Sequence, residues 1–195
     1  MRLQSLLAGA AIALVASVSA VSANAIELLS NGSFESGFDA WSQFGNGGFT
    51  GVSGAFGGVD PTDGAQQAFF GPVGSTGGIT QNVATVAGGH YTFSFDLFGF
   101  GGGNSYAAAF NGLTVLAGSG GTSGYETHSF DVVATGASSA VTFAFQHDPS
   151  YYLLDNVSVT GGVPEPAAWA LMLTGFLGAG VAIRGNRRRQ VALAA

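Results

Sequence analysis

Short runs in which apolar and polar residues alternate, cut apart by glycine, constrain this chain most. In Tyr91-Thr-Phe-Ser-Phe-Asp-Leu-Phe98, Tyr91, Phe93, Phe95 and Leu97 fall on one face of an extended strand. Val141, Phe143 and Phe145 repeat the pattern in 140–146, as do Phe130 and Val132 in 128–133. Further candidate strands are 67–70, 79–86, 107–111, 113–116 and 152–159. Asn111-Gly112, between two of them, is a two-residue hairpin signal. Helical periodicity is hard to find between Ile26 and Gly162. The expectation is an all-β body of about eight or nine antiparallel strands packed as two sheets, a β-sandwich of jelly-roll type, with a closed barrel as the alternative. The Gly-rich stretch 44–64 reads as a long loop or irregular strand, and 99–104 and 118–124 as loops.

Charge is distributed with unusual asymmetry. The chain has 5 Lys+Arg residues, and all are arginines outside 26–162: Arg2, Arg184, Arg187, Arg188 and Arg189. Ten of the 11 acids lie within 26–162, at Glu27, Glu35, Asp39, Asp60, Asp63, Asp96, Glu126, Asp131, Asp148 and Asp155. Such a body cannot use Lys or Arg salt bridges. It repels nucleic acid, whose binding depends on Lys and Arg neutralising phosphates. It can attract a divalent cation such as Ca²⁺, which takes oxygen ligands. Cysteine is absent, which removes disulfides, thiolate catalysis and cysteine-based zinc sites.

The two ends read as targeting segments. Arg2 precedes an apolar run from Leu6 to Val18, and Ala23-Asn24-Ala25 fits the small-x-small cleavage rule, so cleavage is expected after Ala25. The domains expected are then a signal peptide over 1–25, a β-sandwich over 26–162 and a C-terminal signal over 163–195. Ala167 to Ile183 carries no ionisable residue. As a helix it would span roughly 25 Å, just short of a hydrocarbon core of ~30 Å. Trp169 suits one interface, and the arginine cluster suits the cytoplasmic side.

Pro164-Glu165-Pro166, Trp169, Met172-Leu173 and Gly175-Phe176, followed by Arg187-Arg188-Arg189, resemble the PEP-CTERM sorting signal in its PEPxxWxxMLxGF form. The tail after the arginines is longer than that pattern usually has. The resemblance implies a Gram-negative exported protein, held transiently by the inner membrane and recognised by an exosortase. It implies delivery to the cell envelope or extracellular matrix. Asn31-Gly-Ser-Phe-Glu35 with Trp41, the segment from Gly78 to Asp96, and 152–159 are in turn similar to galactose-binding-like jelly rolls, including carbohydrate-binding modules. That second likeness implies a structural Ca²⁺ held by Glu35 and Asp155.

Period two would point Asp155 into the core with Leu153, Val157 and Val159, unless a bulge intervenes. A buried carboxylate with no Lys or Arg nearby needs a metal or backbone N–H groups. Tyr125 and Tyr151, on loops, are the ring candidates for a sugar ligand, while Trp41 reads as core. His90, His128 and His147 show no metal-ligand spacing. His147-Asp148 near Ser150 has poor geometry for a catalytic relay, because adjacent strand residues point to opposite faces. The expectation is a non-catalytic surface or exopolysaccharide-associated protein, with a carbohydrate-binding module carrying a specific glycan ligand as the alternative.

Overall fold

The computed structural model describes residues 25–102 and 105–161, together with Met172, Gly175, Phe176 and Gly178, which are helical. The expected signal peptide up to Asn24 and nearly all of the sorting segment lie outside the described residues. Among the described residues no helix is long and apolar enough to cross a membrane.

The body is all-β. Its strands are β1 (Ile26–Glu27), β2 (Ser42–Gly45), β3 (Thr50–Ser53), β4 (Gln67–Phe70), β5 (Gly77–Ala84), β6 (His90–Gly99), β7 (Ser105–Phe110), β8 (Leu113–Gly118), β9 (Glu126–Val133), β10 (Ser138–Gln146) and β11 (Tyr152–Gly161). One antiparallel sheet runs β3-β4-β11-β6-β9, with β1 also paired to β11, and the other runs β2-β5-β10-β7-β8. The two sheets form the expected jelly-roll sandwich.

Alternation builds the interior. Phe93, Phe95, Phe143 and Phe145 each expose 1% or less of their surface. Rings from the two sheets interlock, with Phe70 stacked on Phe145 at 4.3 Å and Phe95 edge-on to Phe143 at 4.9 Å. Each buried Phe contributes roughly 1.5–3 kcal/mol through the area it removes from water. Trp41 joins this core at 7% exposure, as expected. It lies 5.7 Å from Phe34, and its indole N–H donates to the Asn31 carbonyl at 3.0 Å.

The hairpin signal at Asn111-Gly112 is borne out. Both residues have positive φ, 51° and 80°, and Phe110 pairs with Leu113 across them. The strands outnumber the expectation because β1, β2 and β3 are short pieces at sheet margins. None shows a buried/exposed alternation, so only the hydrogen-bond register defines them.

A bulge between Asp155 and Ser158, with Asn156 at φ 51°, interrupts the β11–β6 ladder. Tyr152 and Leu154 face the core before it, and Val157 and Val159 after it. Of Leu153, Val157 and Val159, Asp155 therefore shares its face only with Leu153. It is fully buried, but on the outer side of the sheet, beneath the β3–β4 connection.

Candidate ligand-binding cleft and the carboxylate-held loop

Antiparallel pairing gathers the β2–β3, β4–β5 and β10–β11 connections at one end of the sandwich. Asn46 ties the first two together: its Nδ2 donates to the Val73 carbonyl at 2.9 Å, while its Oδ1 accepts from the Gly48 amide at 2.9 Å. Between these loops lies a cleft of about 170 Å³ whose lining includes Phe49, Val73, Asp148, Ser150 and Tyr151. Its two rings differ in how they are held. Tyr151 is fixed from behind, with Phe56 edge-on at 4.8 Å and Phe69 at 6.0 Å. Gly71 permits this: a Cβ there would meet the Tyr151 ring at 2.6 Å.

Phe49 is 64% exposed and has φ 55°. A bulky residue in the left-handed region costs about 1–2 kcal/mol. Buried Phe34, at φ 57° and 0% exposure, offsets that cost by packing. Phe49 has no comparable burial. Strain of this kind collects at functional positions. Phe49 is one of 16 phenylalanines in the chain. Its one local signal is the preceding Asn46-Gly47-Gly48 segment, in which the Gly48 amide donates to Asn46 Oδ1.

The cleft pairs apolar rings with acceptors. Asp148 is exposed at the rim and Ser150 half-buried, so a carboxylate and a hydroxyl stand ready for ligand O–H groups. His147, adjacent, is fully buried, with Nε2 3.0 Å from the Phe100 carbonyl and its ring 4.7 Å from Tyr152. It packs into the wall against Phe100 and Tyr152. The three histidines do not converge: His90 lies near Gly89 at the far end, His128 beside Phe95, and His147 here.

Tyr125 takes a different role from Tyr151. Its hydroxyl donates to Gln67 Oε1, and its ring lies 5.8 Å from Phe98. Burial, reinforced by Asp155 and then Asp96, pushes its phenol far above the usual tyrosine value. The two tyrosines close opposite ends of one run of rings, through Phe56, Phe100 and Phe98.

The β3–β4 connection covers those rings, and side chains hold it by its backbone. Asp155 Oδ2 accepts from the Thr62 amide at 2.7 Å, the Asp63 amide at 2.9 Å and the Thr62 hydroxyl at 3.2 Å. Asp155 Oδ1 accepts from the Asn156 amide at 2.8 Å. Glu35 Oε1 accepts from the Ala65 and Gln66 amides at 2.7 and 2.8 Å. Gln67 Nε2 donates to the Gly54 and Val59 carbonyls at 2.8 and 2.7 Å.

The structure thus brings Glu35 and Asp155 to one loop and gives both amide partners. A Ca²⁺ ion would have to bind alongside those hydrogens. Among the described residues no group of three or more His, Asp or Glu side chains has metal-holding geometry. The donor set favours amide compensation over a metal. The expected result is a melting midpoint unmoved by EDTA or by added Ca²⁺. A rise of several degrees with Ca²⁺ would show a bound ion.

No protein-family model matches the chain, and no curated protein matches it. Solved structures do. TmCBM61, solved with β-1,4-galactotriose, is 18% identical, with 70% of this chain and 99% of that one covered at a TM-score of 0.55. The K3 cleaved adhesin domain of Lys-gingipain from Porphyromonas gingivalis is 17% identical, covering 71% and 99% at 0.53. The xylan-binding domain from CBM 22 is 12% identical, covering 70% and 94% at 0.50. At these identities the likeness is one of fold.

Proposed function

We propose that this protein is a non-catalytic carbohydrate-binding protein of the cell surface, which docks a glycan in the cleft beside Phe49. The observation that carries this is Phe49 itself, 64% exposed at φ 55° over a cleft that also holds Tyr151, Asp148 and Ser150. Rigid rings offer apolar faces to a sugar, and the carboxylate and hydroxyl take its O–H groups. TmCBM61, solved with β-1,4-galactotriose, and the xylan-binding domain from CBM 22 support the class of ligand. The absence of Lys and Arg from 26–162 favours neutral over anionic glycans, because ten carboxylates repel the latter. A cleft of about 170 Å³ is small beside the roughly 300–1,000 Å³ of pockets that enclose drug-sized ligands. It fits one sugar ring of a longer chain. Titration with neutral oligosaccharides should show saturable binding that Tyr151→Ala weakens.

Surface delivery belongs to the same proposal. Cleavage after Ala25 would leave β1, which begins at Ile26, intact. Pro164-Glu165-Pro166, the uncharged run 167–183 and the arginines at 187–189 would then hold the chain at the inner membrane until an exosortase acts. Mass spectrometry of the mature protein should find an N-terminus at Ile26 and a C-terminus near Pro164. An intact C-terminal run in cells that carry the sorting enzyme would contradict the exosortase step.

A further inference from the structure

The large apolar side chains exposed on the body divide between its two ends. Phe44, Phe49 and Val73 belong to the cleft end. Ile26 at 49%, Val86 at 67%, Leu113 at 71% and Val133 at 48% exposure belong to the other. Backbone bonds tie that far end into one unit. The Thr85 amide donates to the Ala137 carbonyl at 3.0 Å, the Gly88 amide to the Ala134 carbonyl at 2.8 Å and the Asn111 amide to the Ala140 carbonyl at 2.7 Å. The loops 85–89, 111–112 and 134–137 form its tip, and none contains an acid. A groove of about 700 Å³ opens between the first of these and β1 and β11, with Leu28, Val86, Ala87, His90, Tyr91 and Gly161 in its lining. Among the described residues no carboxylate lines it, in a body that carries ten.

Gly161, the last residue of β11, sits in that groove. The uncharged run begins at Ala167. The five residues 162–166 reach at most ~18 Å when fully extended. If the run from Ala167 enters a bilayer, as the function above proposes, so short a tether keeps this end, and not the cleft end, at the lipid surface. An end lined with acids would be repelled by anionic headgroups and would lose hydration on contact. An end whose tip loops carry no acid, and which exposes Val86 and Leu113, gains by burying them.

We propose that the far end of the sandwich is a membrane-docking surface. Val86 and Leu113 seat into the interface of a bilayer with net-neutral headgroups, and the glycan cleft points away from it. This rests on the anchoring part of the function proposed above. The geometry presents the cleft outward while the chain is still anchored, so ligand capture can precede release.

The chain has no cysteine, so single labels are unambiguous. The full chain, as V86C, L113C or V73C, each carrying an environment-sensitive fluorophore, would be reconstituted into phosphatidylcholine vesicles with and without brominated acyl chains. Flotation reports anchoring and quenching reports docking. The expected result is flotation of all three variants, with quenching at positions 86 and 113 at least twofold greater than at 73. Flotation with equal or absent quenching overturns the docking surface and leaves anchoring standing. Failure to float overturns both. Probe–probe self-quenching at 86 without lipid quenching would assign this end to a second copy of the chain and overturn the proposal.

Discussion

Asp155→Ala is expected to lower the folding free energy by about 2–4 kcal/mol, because it strands several donors at once and each buried donor left without a partner costs about 1–3 kcal/mol. The change removes the acceptor of the Thr62, Asp63 and Asn156 amides together, at 2.7, 2.9 and 2.8 Å. No Lys or Arg lies within 26–162 to compensate. With that anchor gone the β3–β4 connection keeps the bonds from Glu35 and Gln67 and the packing of Phe56, and the half-buried rings of Phe56, Phe69 and Phe100 become more exposed. Asp155→Asn should fall between, since it keeps one oxygen but turns an NH₂ group toward amides that also donate. Chemical denaturation of the three proteins measures the order. A change below about 1 kcal/mol for Asp155→Ala would mean that the loop is held by other means.

The same residue sets a pH dependence. Burial raises the Asp155 pKa above its usual value, against the lowering effect of the Asp63, Asn156 and Thr62 bonds. A folded-state pKa above the unfolded one means that the native protein binds more protons between the two values. The contribution of Asp155 to stability is then largest below the unfolded pKa, near 4, and declines as pH rises through the folded value. The titratable groups beside it are Asp96, its partner across the ladder, and Tyr125, neither of them cationic. The difference in stability between the wild type and Asp155→Asn, followed upward from pH 3, should therefore shrink across that window. A difference that grows with pH would show that the hydrogen bonds outweigh burial.

Phe49 should separate stability from binding. Phe49→Ala is expected to weaken glycan binding by about thirtyfold, the ~2 kcal/mol of a single anchoring ring. It should barely alter the melting midpoint, because a ring 64% exposed contributes little to the core. Phe49→Gly should weaken binding to the same degree while holding or raising the midpoint, since glycine takes φ 55° without the left-handed cost. That pairing is diagnostic. A structural residue loses stability when truncated, whereas a ring kept for its ligand loses only the ligand. If Phe49→Gly unfolded the protein, the ring would be a packing element and the cleft would lose its platform.

Sheet architecture was legible because both sheets bury one face, so apolar side chains recur at every second position in β6, β10 and β9. The margins were not. Ser42-Gln-Phe-Gly45 and Thr50-Gly-Val-Ser53 alternate nothing, and their pairing comes from neighbours far along the chain. Asp155 shows the limit of period-two arithmetic. A single bulge moved it to the face opposite Val157, and the tertiary lid that buries it there lies 92 residues away at Asp63. Of the two tyrosines with loop positions, Tyr151 reaches the cleft and Tyr125 is locked to Gln67. Both look alike in sequence because a hydrogen bond to a distant strand leaves no local mark. Phe49 differs from the other phenylalanines mainly by its backbone angle, which composition cannot report.

The most direct test of the central claim is a neutral-glycan array probed with the full chain beside Phe49→Ala and, as a far-end control, Leu113→Ala. The wild type and Leu113→Ala are expected to bind a defined class of neutral glycans saturably, with the signal lost in Phe49→Ala. Binding that survives Phe49→Ala undiminished, or no glycan bound above background by the wild type, would contradict that claim.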